Sequence, residues 1–389
     1  MSLDDFSHAD EWGPEKVVTV ADTRTGMRGV LVIDNTARGM GKGGTRMSPT
    51  LTSTEVARLA RVMTWKWAGI DLFFGGAKAG IRFDPASPDK EAALRSFVRS
   101  LSSEVPEEYV FGLDMGLTEH DAAIIQQELG DRRTAVGSPR ELGGVPYDQW
   151  GVTGYGVAEA TDEAARLRGL KLSGARVVVQ GFGAVGAAAV ERLHVLGAQV
   201  VAVSTSEGAI YAPDGLDVPV LLQAKAEWGD GLVHHIDGVK RLGAGEELTL
   251  PTDVLIPAAR QDVVDAATAR ELSASVVAEG ANLPLTAEAQ AVLAQRGISV
   301  VPDFIANAGG VVAAAYAMDA RHSAFPAERE GILTAISERL RANTLQVLDD
   351  SARDSVTSHA AARRLAEQRV RTAMELGGRI QPTRVSVRH

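Results

Sequence analysis

The sequence predicts an α/β fold of two domains, one of them a doubly wound parallel sheet, on three observations. First, 389 residues are more than a single hydrophobic core usually serves. Second, the texture changes near residue 140, from β-branched runs and amphipathic helices to short apolar runs alternating with helical pieces. Third, "GARVVVQGFGAVGAAAVERLHVLGAQVVAVS" reads as strand, glycine turn, helix and strand, a βαβ unit. The expected layout is a first α/β domain over 1–140, a doubly wound domain over 141–325, and helices over 326–389 that return to brace the first domain or the hinge.

The elements follow in order. "KVVTVADTRTGMRGVLVIDN" gives two strands separated by a Thr-Gly turn. "TSTEVARLARVMTWKWAGI" is a helix, with Thr52 and Glu55 at capping-box spacing and Val56, Leu59, Ala60, Met63 and Trp67 at helical intervals. Further helices are expected around "DKEAALRSFVRSLSSEV" and "TEHDAAIIQQELG". Beyond the βαβ unit, "TDVLIPAA", "SVVAEGA" and "ISVVPDFIA" are buried-strand candidates, and their alternation with helical pieces is what a doubly wound sheet requires.

Composition narrows the function classes. Fifty acidic against forty basic residues give a net charge of −10, which argues against generic binding to nucleic acid or anionic membranes. The basic cluster "ARRLAEQRVR" alternates with apolar residues and reads as a solvated helix face. Cysteine is absent, so there is no disulfide framework and no thiol nucleophile, and a reducing cytoplasm fits. No run is apolar enough to span a bilayer, and the acidic start "MSLDDFSHADEWGPEK" has none of the layout of a secretory signal. The eight histidines form no pattern such as HExxH, leaving a zinc hydrolase without ligands, and His234-His235 reads as an exposed loop.

Gly181, Gly183 and Gly186 stand in GxGxxG spacing between a strand and a helix, the Rossmann-type arrangement. Such glycines permit a tight turn and close approach of a pyrophosphate at a helix N-terminus. The next strand ends in Ser204, Thr205 and Ser206 before Glu207, with no acid at the strand end and no arginine beside it. NAD and NADP both stay open.

Three lysines precede this half. Lys42 lies in "GMGKGGTRM", Lys66 in "MTWKWAG" and Lys78 in "FFGGAKAGIRFDP". On an ideal helix Lys66 points about 20° from Leu59, at the border of the apolar face, where it either snorkels to solvent or meets an anion. Small residues around Lys78 read as a loop that lets another molecule press against the backbone, and a desolvated lysine near other cations becomes a useful base. The plain alternative is a surface lysine in a flexible turn. Asp114, in "FGLDMGLTEHD", either shuttles protons or caps the helix beginning near Thr118.

Together these motifs resemble the glutamate/leucine/phenylalanine/valine dehydrogenase family over nearly the whole chain. "KGGTRM", "MTWK", "LFFGGAKAGIRFDP", "LDMG", "TGYGV", "GFGAVG", "AEGAN" and "PDFIANAGGV" fall in the family's order at compatible spacings. The resemblance implies reversible oxidative deamination of an L-amino acid to a 2-oxo acid and ammonium, with NAD or NADP, in a homo-oligomer and between two closing domains. It makes Lys78 the catalytic lysine and Asp114 the proton-transferring aspartate. It gives Lys66 the substrate α-carboxylate, and Gly44, Met63, Val311 and Asn307 to the substrate pocket, with Asn307 also beside the nicotinamide. Thr153, Asn282, Ala258 and Ala259 fall to the cofactor, as do Phe182, Ala184 and Val185 within the glycine turn and the hydroxyls of Ser204 and Thr205. It also implies that the glycines around Lys78 let substrate and nicotinamide crowd onto one amine.

Substrate choice divides the resemblance. Lys42 matches a lysine that pairs with a side-chain carboxylate in the glutamate-specific members. Ala314 replaces a serine those members place seven residues after the asparagine of "NAGGV", as the branched-chain enzymes would want. Trp65 and Trp67 either join the core or narrow the pocket, and Gly112 widens it. Glutamate is the favoured substrate, a leucine-, valine- or phenylalanine-type or unusual amino acid the alternative, and a catalytically idle binding relative the distant one.

Overall fold

In the computed structural model, which describes residues 9–147 and 149–381, the chain forms two compact units. Residues 1–8, where half of the acidic N-terminal stretch lies, fall outside the described residues, as does the end of the chain.

The first unit comprises residues 1–146, 314–328 and 365–389. Its elements begin with β1 (Lys16–Asp22), β2 (Met27–Asn35), β3 (Gly41–Lys42), β4 (Thr45–Met47) and helix α1 (Ser53–Gly69). Then come β5 (Gly75–Arg82), α2 (Lys90–Ser100), β6 (Tyr109–Val110) and α3 (Glu119–Leu129). The strands lie in the order β1-β2-β5-β3-β6, with β4 also on β5. β1, β2 and β5 run antiparallel, whereas β3 and β4 pair parallel with β5, and β6 parallel with β3.

The glycine-rich stretch expected as a loop is therefore strand β5, inside the sheet. Alternation along it explains the composition. Ala77, Ala79 and Ile81 point into one core with Leu31, Leu94, Phe97 and Phe111. Gly76, Lys78 and Gly80 take the other face, under α1. A Cβ on Gly76 would stand 2.0 Å from Thr64 Oγ1 and 2.6 Å from the Ala60 carbonyl oxygen, and one on Gly80 2.4 Å from Val56. The glycines at 76 and 80 bring helix α1 down onto the sheet, and this corrects the reading that they are there for a ligand.

The helix start is as expected, with Thr52 as N-cap accepting from the Glu55 N–H. Trp65 and Trp67 are both core residues. Asp114 caps nothing: the α3 N-cap is Thr118, in a capping box with Asp121.

The second unit comprises residues 147–313 and 329–364. It opens with α4 (Val152–Leu167), β7 (Arg176–Gln180), α5 (Ala184–Val195), β8 (Gln199–Thr205), β9 (Gly208–Tyr211) and α6 (Val218–Trp228). β10 (Lys240–Leu242), β11 (Val254–Pro257), α7 (Ala266–Glu271), β12 (Val276–Ala278), α8 (Ala287–Gln295) and β13 (Ser299–Val301) complete the alternation. The order β10-β9-β8-β7-β11-β12-β13 places β7 centrally, with parallel neighbours from β8 through β13 and the switch point between β7 and β11. The three strand candidates after the βαβ unit are β11, β12 and β13. β9 and β10 add an antiparallel edge that the sequence reading did not contain.

The remaining helices are α9 (Asp303–Ala306), α10 (Gly309–Ala320), α11 (Arg329–Asp354) and α12 (Ser358–Leu376). Of residues 326–389, expected to return to the first domain or hinge, residues from 365 onward lie in the first unit and 329–364 in the second. α11 belongs to the second unit, packed on α4 through Ile336 and Leu340 against Gly156, and α12 changes unit between Arg364 and Leu365. Buried Glu159 of α4 fixes α11 by accepting from Ser337 (2.6 Å) and Arg341 (2.7 Å). An amphipathic charged helix does not announce in sequence which apolar face it covers.

Candidate functional site

Each unit carries one constellation. In the first unit, Lys78 projects from the middle of β5, opposite Val32 of β2, with only 6% of its surface exposed. Its Nζ donates to Oδ2 of Asp114, in the loop after β6. Asp114 Oδ1 accepts the Met115 N–H at 2.7 Å, and Arg46 of β4 brings Nε to within 3.3 Å of the same Oδ2. Burial pulls Lys78 below the ordinary lysine range and outweighs the pull of Asp114 the other way. For Asp114 burial acts upward, but Lys78, the Met115 N–H and Arg46 together hold it below the usual carboxylate range. The pair thus unites an amine readied to lose its proton with an ionised carboxylate.

Gly44, rather than the glycines of β5, stands beside the amine, packed against the Leu113 carbonyl. A Cβ there would lie 3.2 Å from Lys78 Nζ and 3.0 Å from Asp114 Cβ, so its absence leaves room beside the amine. Met63 of α1 lies over the neighbouring Gly43, whose carbonyl accepts from the buried Tyr109 hydroxyl at 3.0 Å. Lys42 is anchored by Trp67, whose indole N–H donates to the Lys42 carbonyl at 3.0 Å.

The Lys42 ammonium is buried and, among the described residues, donates to the carbonyls of Val110 (3.1 Å) and Gly43 (3.4 Å). Burial, then the charges of Arg321 and Lys78, bring it down to about 7. Gly112 makes room for it, because a Cβ there would stand 2.5 Å from Lys42 Nζ. Lys66 lies half-buried on α1, and Ala314 opens the segment 314–328 of this unit.

In the second unit, the turn between β7 and α5 has the geometry its glycines require. Gly181 sits at φ +94°, where other residues are strained, and the Ala259 backbone passes 2.7 Å from its missing Cβ. Gly186 would drive a Cβ to 1.8 Å from the Gly181 carbonyl oxygen, whereas Gly183 meets nothing within 4 Å. Gly183 is the N-cap and has no side chain to satisfy the first turn of α5, and it is exposed together with Ala184. An open helix N-terminus bordered by a bare glycine suits a dinucleotide pyrophosphate. Phe182 is buried beneath the turn and Val185 half-buried.

Ser204 faces inward and accepts the Gly181 N–H at 3.0 Å, so its hydroxyl holds the turn rather than standing at its mouth. Thr205 donates to the Asp230 carbonyl at 2.8 Å. Ala258 and Ala259 follow β11 beside the turn, their N–H groups donating to the Gln180 carbonyl (2.7 Å) and to Gln180 Oε1 (3.3 Å). Thr153 lies at the start of α4, its hydroxyl 3.1 Å from where a Gly310 Cβ would be. Asn307 donates to Asn282 Oδ1 at 3.2 Å and to the Ala281 carbonyl at 3.3 Å, while its own Oδ1 is buried without a hydrogen-bond partner. An unanswered buried acceptor fits a segment that meets a ligand donor. Val311 lies one turn further, on α10.

Sequence reasoning missed Arg46 and Glu55 as parts of the amine site. Arg46 Nη1 donates to Glu55 Oε1 at 2.9 Å, which ties β4 to the first turn of α1. "KGGTRM" contains Arg46, but one basic residue in a two-faced segment gives no signal without its partners. Among the described residues no group of acids and histidines could hold a metal ion, and His234 and His235 are exposed, as expected.

Comparison with known proteins gives two family matches. Residues 143–378 match the model described as "Glutamate/Leucine/Phenylalanine/Valine dehydrogenase", and residues 14–130 match "Glu/Leu/Phe/Val dehydrogenase, dimerisation domain". The glutamate dehydrogenase of Thermotoga maritima is 36% identical over 362 residues, 90% of this chain and 86% of that one. The NADP-specific glutamate dehydrogenase of Saccharolobus shibatae is 35% identical over 322 residues, 77% and 74% of the two chains. Among solved structures, the hetero-hexameric glutamate dehydrogenase of Thermus thermophilus in its Leu-bound form superposes with a TM-score of 0.81 at 34% identity, over 94% of this chain and 90% of that one. The L-tryptophan dehydrogenase of Nostoc punctiforme gives 0.73 at 26%, over 94% and 98%.

Proposed function

This chain belongs to the glutamate/leucine/phenylalanine/valine dehydrogenase family, and from that premise we propose that it deaminates L-glutamate reversibly to the 2-oxo acid and ammonium with NAD or NADP. The observation that carries the chemistry is the pair of buried Lys78 with half-buried Asp114, beside Gly44. The bound dinucleotide supplies the acceptor for the hydride that leaves the substrate Cα.

The chain's own residues do the rest. Asp114, ionised, takes a proton from the substrate ammonium, so that the nitrogen lone pair drives hydride departure and an iminium remains. Lys78, neutral, takes a proton from the water that adds to that carbon. Asp114 then returns its proton to the amine and takes the hydroxyl proton as ammonia departs, leaving the 2-oxo acid with one proton each on Asp114 and Lys78. Lys66 holds the α-carboxylate. Gly181, Gly183, Gly186 and the α5 N-terminus hold the pyrophosphate, with Thr153, Asn282 and Asn307 toward the nicotinamide.

Lys42 supports an acidic substrate, because a buried ammonium answered by carbonyls among the described residues gains most from a carboxylate. Ala314, with no hydroxyl to offer that carboxylate, favours the second reading, an apolar branched amino acid. A homo-oligomer built through the first unit and a cytoplasmic address complete the proposal. The description of residues 14–130 as a dimerisation domain supports the former. Initial rates for twenty amino acids, with NAD and NADP separately, test the whole. Glutamate is expected to give the highest kcat/KM, and leucine or valine in its place would select the second reading. Absence of cofactor reduction across the panel would leave only an idle relative.

A further inference from the structure

We propose that Arg46, steered by Glu55, is a positioning residue that fixes the Asp114 carboxylate and limits its hold on the Lys78 ammonium. The inference rests on the reading of Lys78 and Asp114 given above and extends it to two residues outside that pair.

Asp114 Oδ2 is shared by two cations. Lys78 donates to it from β5, and Arg46 stands 3.3 Å away from β4. Arg46 Nε is buried and forms no hydrogen bond, so this contact is an ion pair off the N–H axis, whereas Nη1 makes a true bond to Glu55 at 2.9 Å. The guanidinium is therefore held by Glu55 and only leans on Asp114. Because β4 and β5 are paired from Thr45↔Ala79 to Met47↔Ile81, Arg46 sits beside the strand that carries Lys78 and cannot drift from it.

The electrostatics follow the geometry. Arg46 competes with Lys78 for one oxygen and repels the ammonium, which favours the neutral amine, while Glu55 acts on Lys78 in the opposite sense. Arg46 also helps keep Asp114 ionised. Lys78 in turn repels the Lys42 ammonium of β3, and Lys66 shares helix α1 with Glu55. Tyr109 of β6 lies near Asp114 as a neutral hydroxyl bonded to Gly43. Arg46 and Glu55 are bonded to each other and opposite in charge, so removing each member moves the amine in opposite directions.

The test is the pH dependence of kcat/KM for oxidative deamination with Arg46→Met, Arg46→Lys, Glu55→Gln and Lys78→Ala. The acidic limb reports loss of the Lys78 proton. Arg46→Met is expected to move it to higher pH by about one unit, the lower end of what a charge at this distance does. Glu55→Gln is expected to move it to lower pH, and Arg46→Lys to return it toward the parent position. A role confined to packing would lower rates or thermal stability in all the variants and leave the limb in place, which would overturn the proposal. Should Arg46→Met fail to fold, Glu55→Gln decides alone, and an unmoved or upward-shifted limb refutes it. Full activity in Lys78→Ala would instead sink the underlying assignment of the base.

Discussion

The strand that carries Lys78 and the turn that opens α5 are both rich in glycine, and one glycine of the turn, Gly183, stands apart from the rest. Gly76 and Gly80 of β5 are filled in by protein, since any Cβ there would strike Thr64, Val56 or Leu51 of the α1 region. Gly183 faces nothing within 4 Å. In the first unit glycine brings two elements of the chain together around the side chain proposed to act as the base. In the second it keeps a helix end bare for a ligand. What a Cβ would strike distinguishes the two, and glycine content alone does not.

The comparison breaks first at Lys78. If β5 exists to mount this amine, Lys78→Ala loses about 10³-fold in kcat, a loss of the size general-base groups contribute, with dinucleotide binding unchanged by fluorescence titration. Retained turnover would make the two glycine-rich regions equivalent scaffolds without a shared reaction.

Next in size is buried charge. Lys42 is held near 7 in the folded chain against an ordinary 10.5, so between those values the unfolded chain binds the extra proton and stability rises with pH. Lys42→Met removes that dependence. Its gain in unfolding free energy is expected to be on the order of 4 kcal/mol at pH 6 and to shrink by about half at pH 9, as read from denaturant melts. Glutamate kcat/KM should fall in the same variant.

The smallest effect sharpens the glycine contrast directly. Gly76→Ala should cost about 1–3 kcal/mol of stability through overpacking against Thr64. Gly183→Ala should melt within about 0.5 kcal/mol of the parent yet raise the KM for the dinucleotide. Equal melting shifts in the two variants would erase the distinction.

The same contrast explains what the sequence made legible. The βαβ unit could be read because its strand, turn and helix follow one another within thirty residues and each carries its own periodicity. Helix α1 could be read from its cap and its apolar spacing. β5 could not, because glycine and alanine have poor strand propensity and the strand exists only through β2, β3 and β4, all distant in sequence. β3 and β4 are two and three residues long, too short for any alternation. On the site, Lys42, Lys78 and Asp114 were legible as odd residues in small-residue surroundings and then by resemblance. Arg46 and Glu55 were not, since each reads as an ordinary surface charge until β4 and α1 are folded together. Ser204 was legible as a hydroxyl at a strand end, but its inward rotamer was not.

A nitrogen mounted on an interior strand, rather than on a loop, inherits the stiffness of the whole sheet. Its backbone amide is bonded across to β2, so exchange with deuterated solvent there should be among the slowest in the first unit. Under the proposed function, diversification toward other amino acids has little freedom at Lys78 itself and is expected to fall on residues 42 and 314.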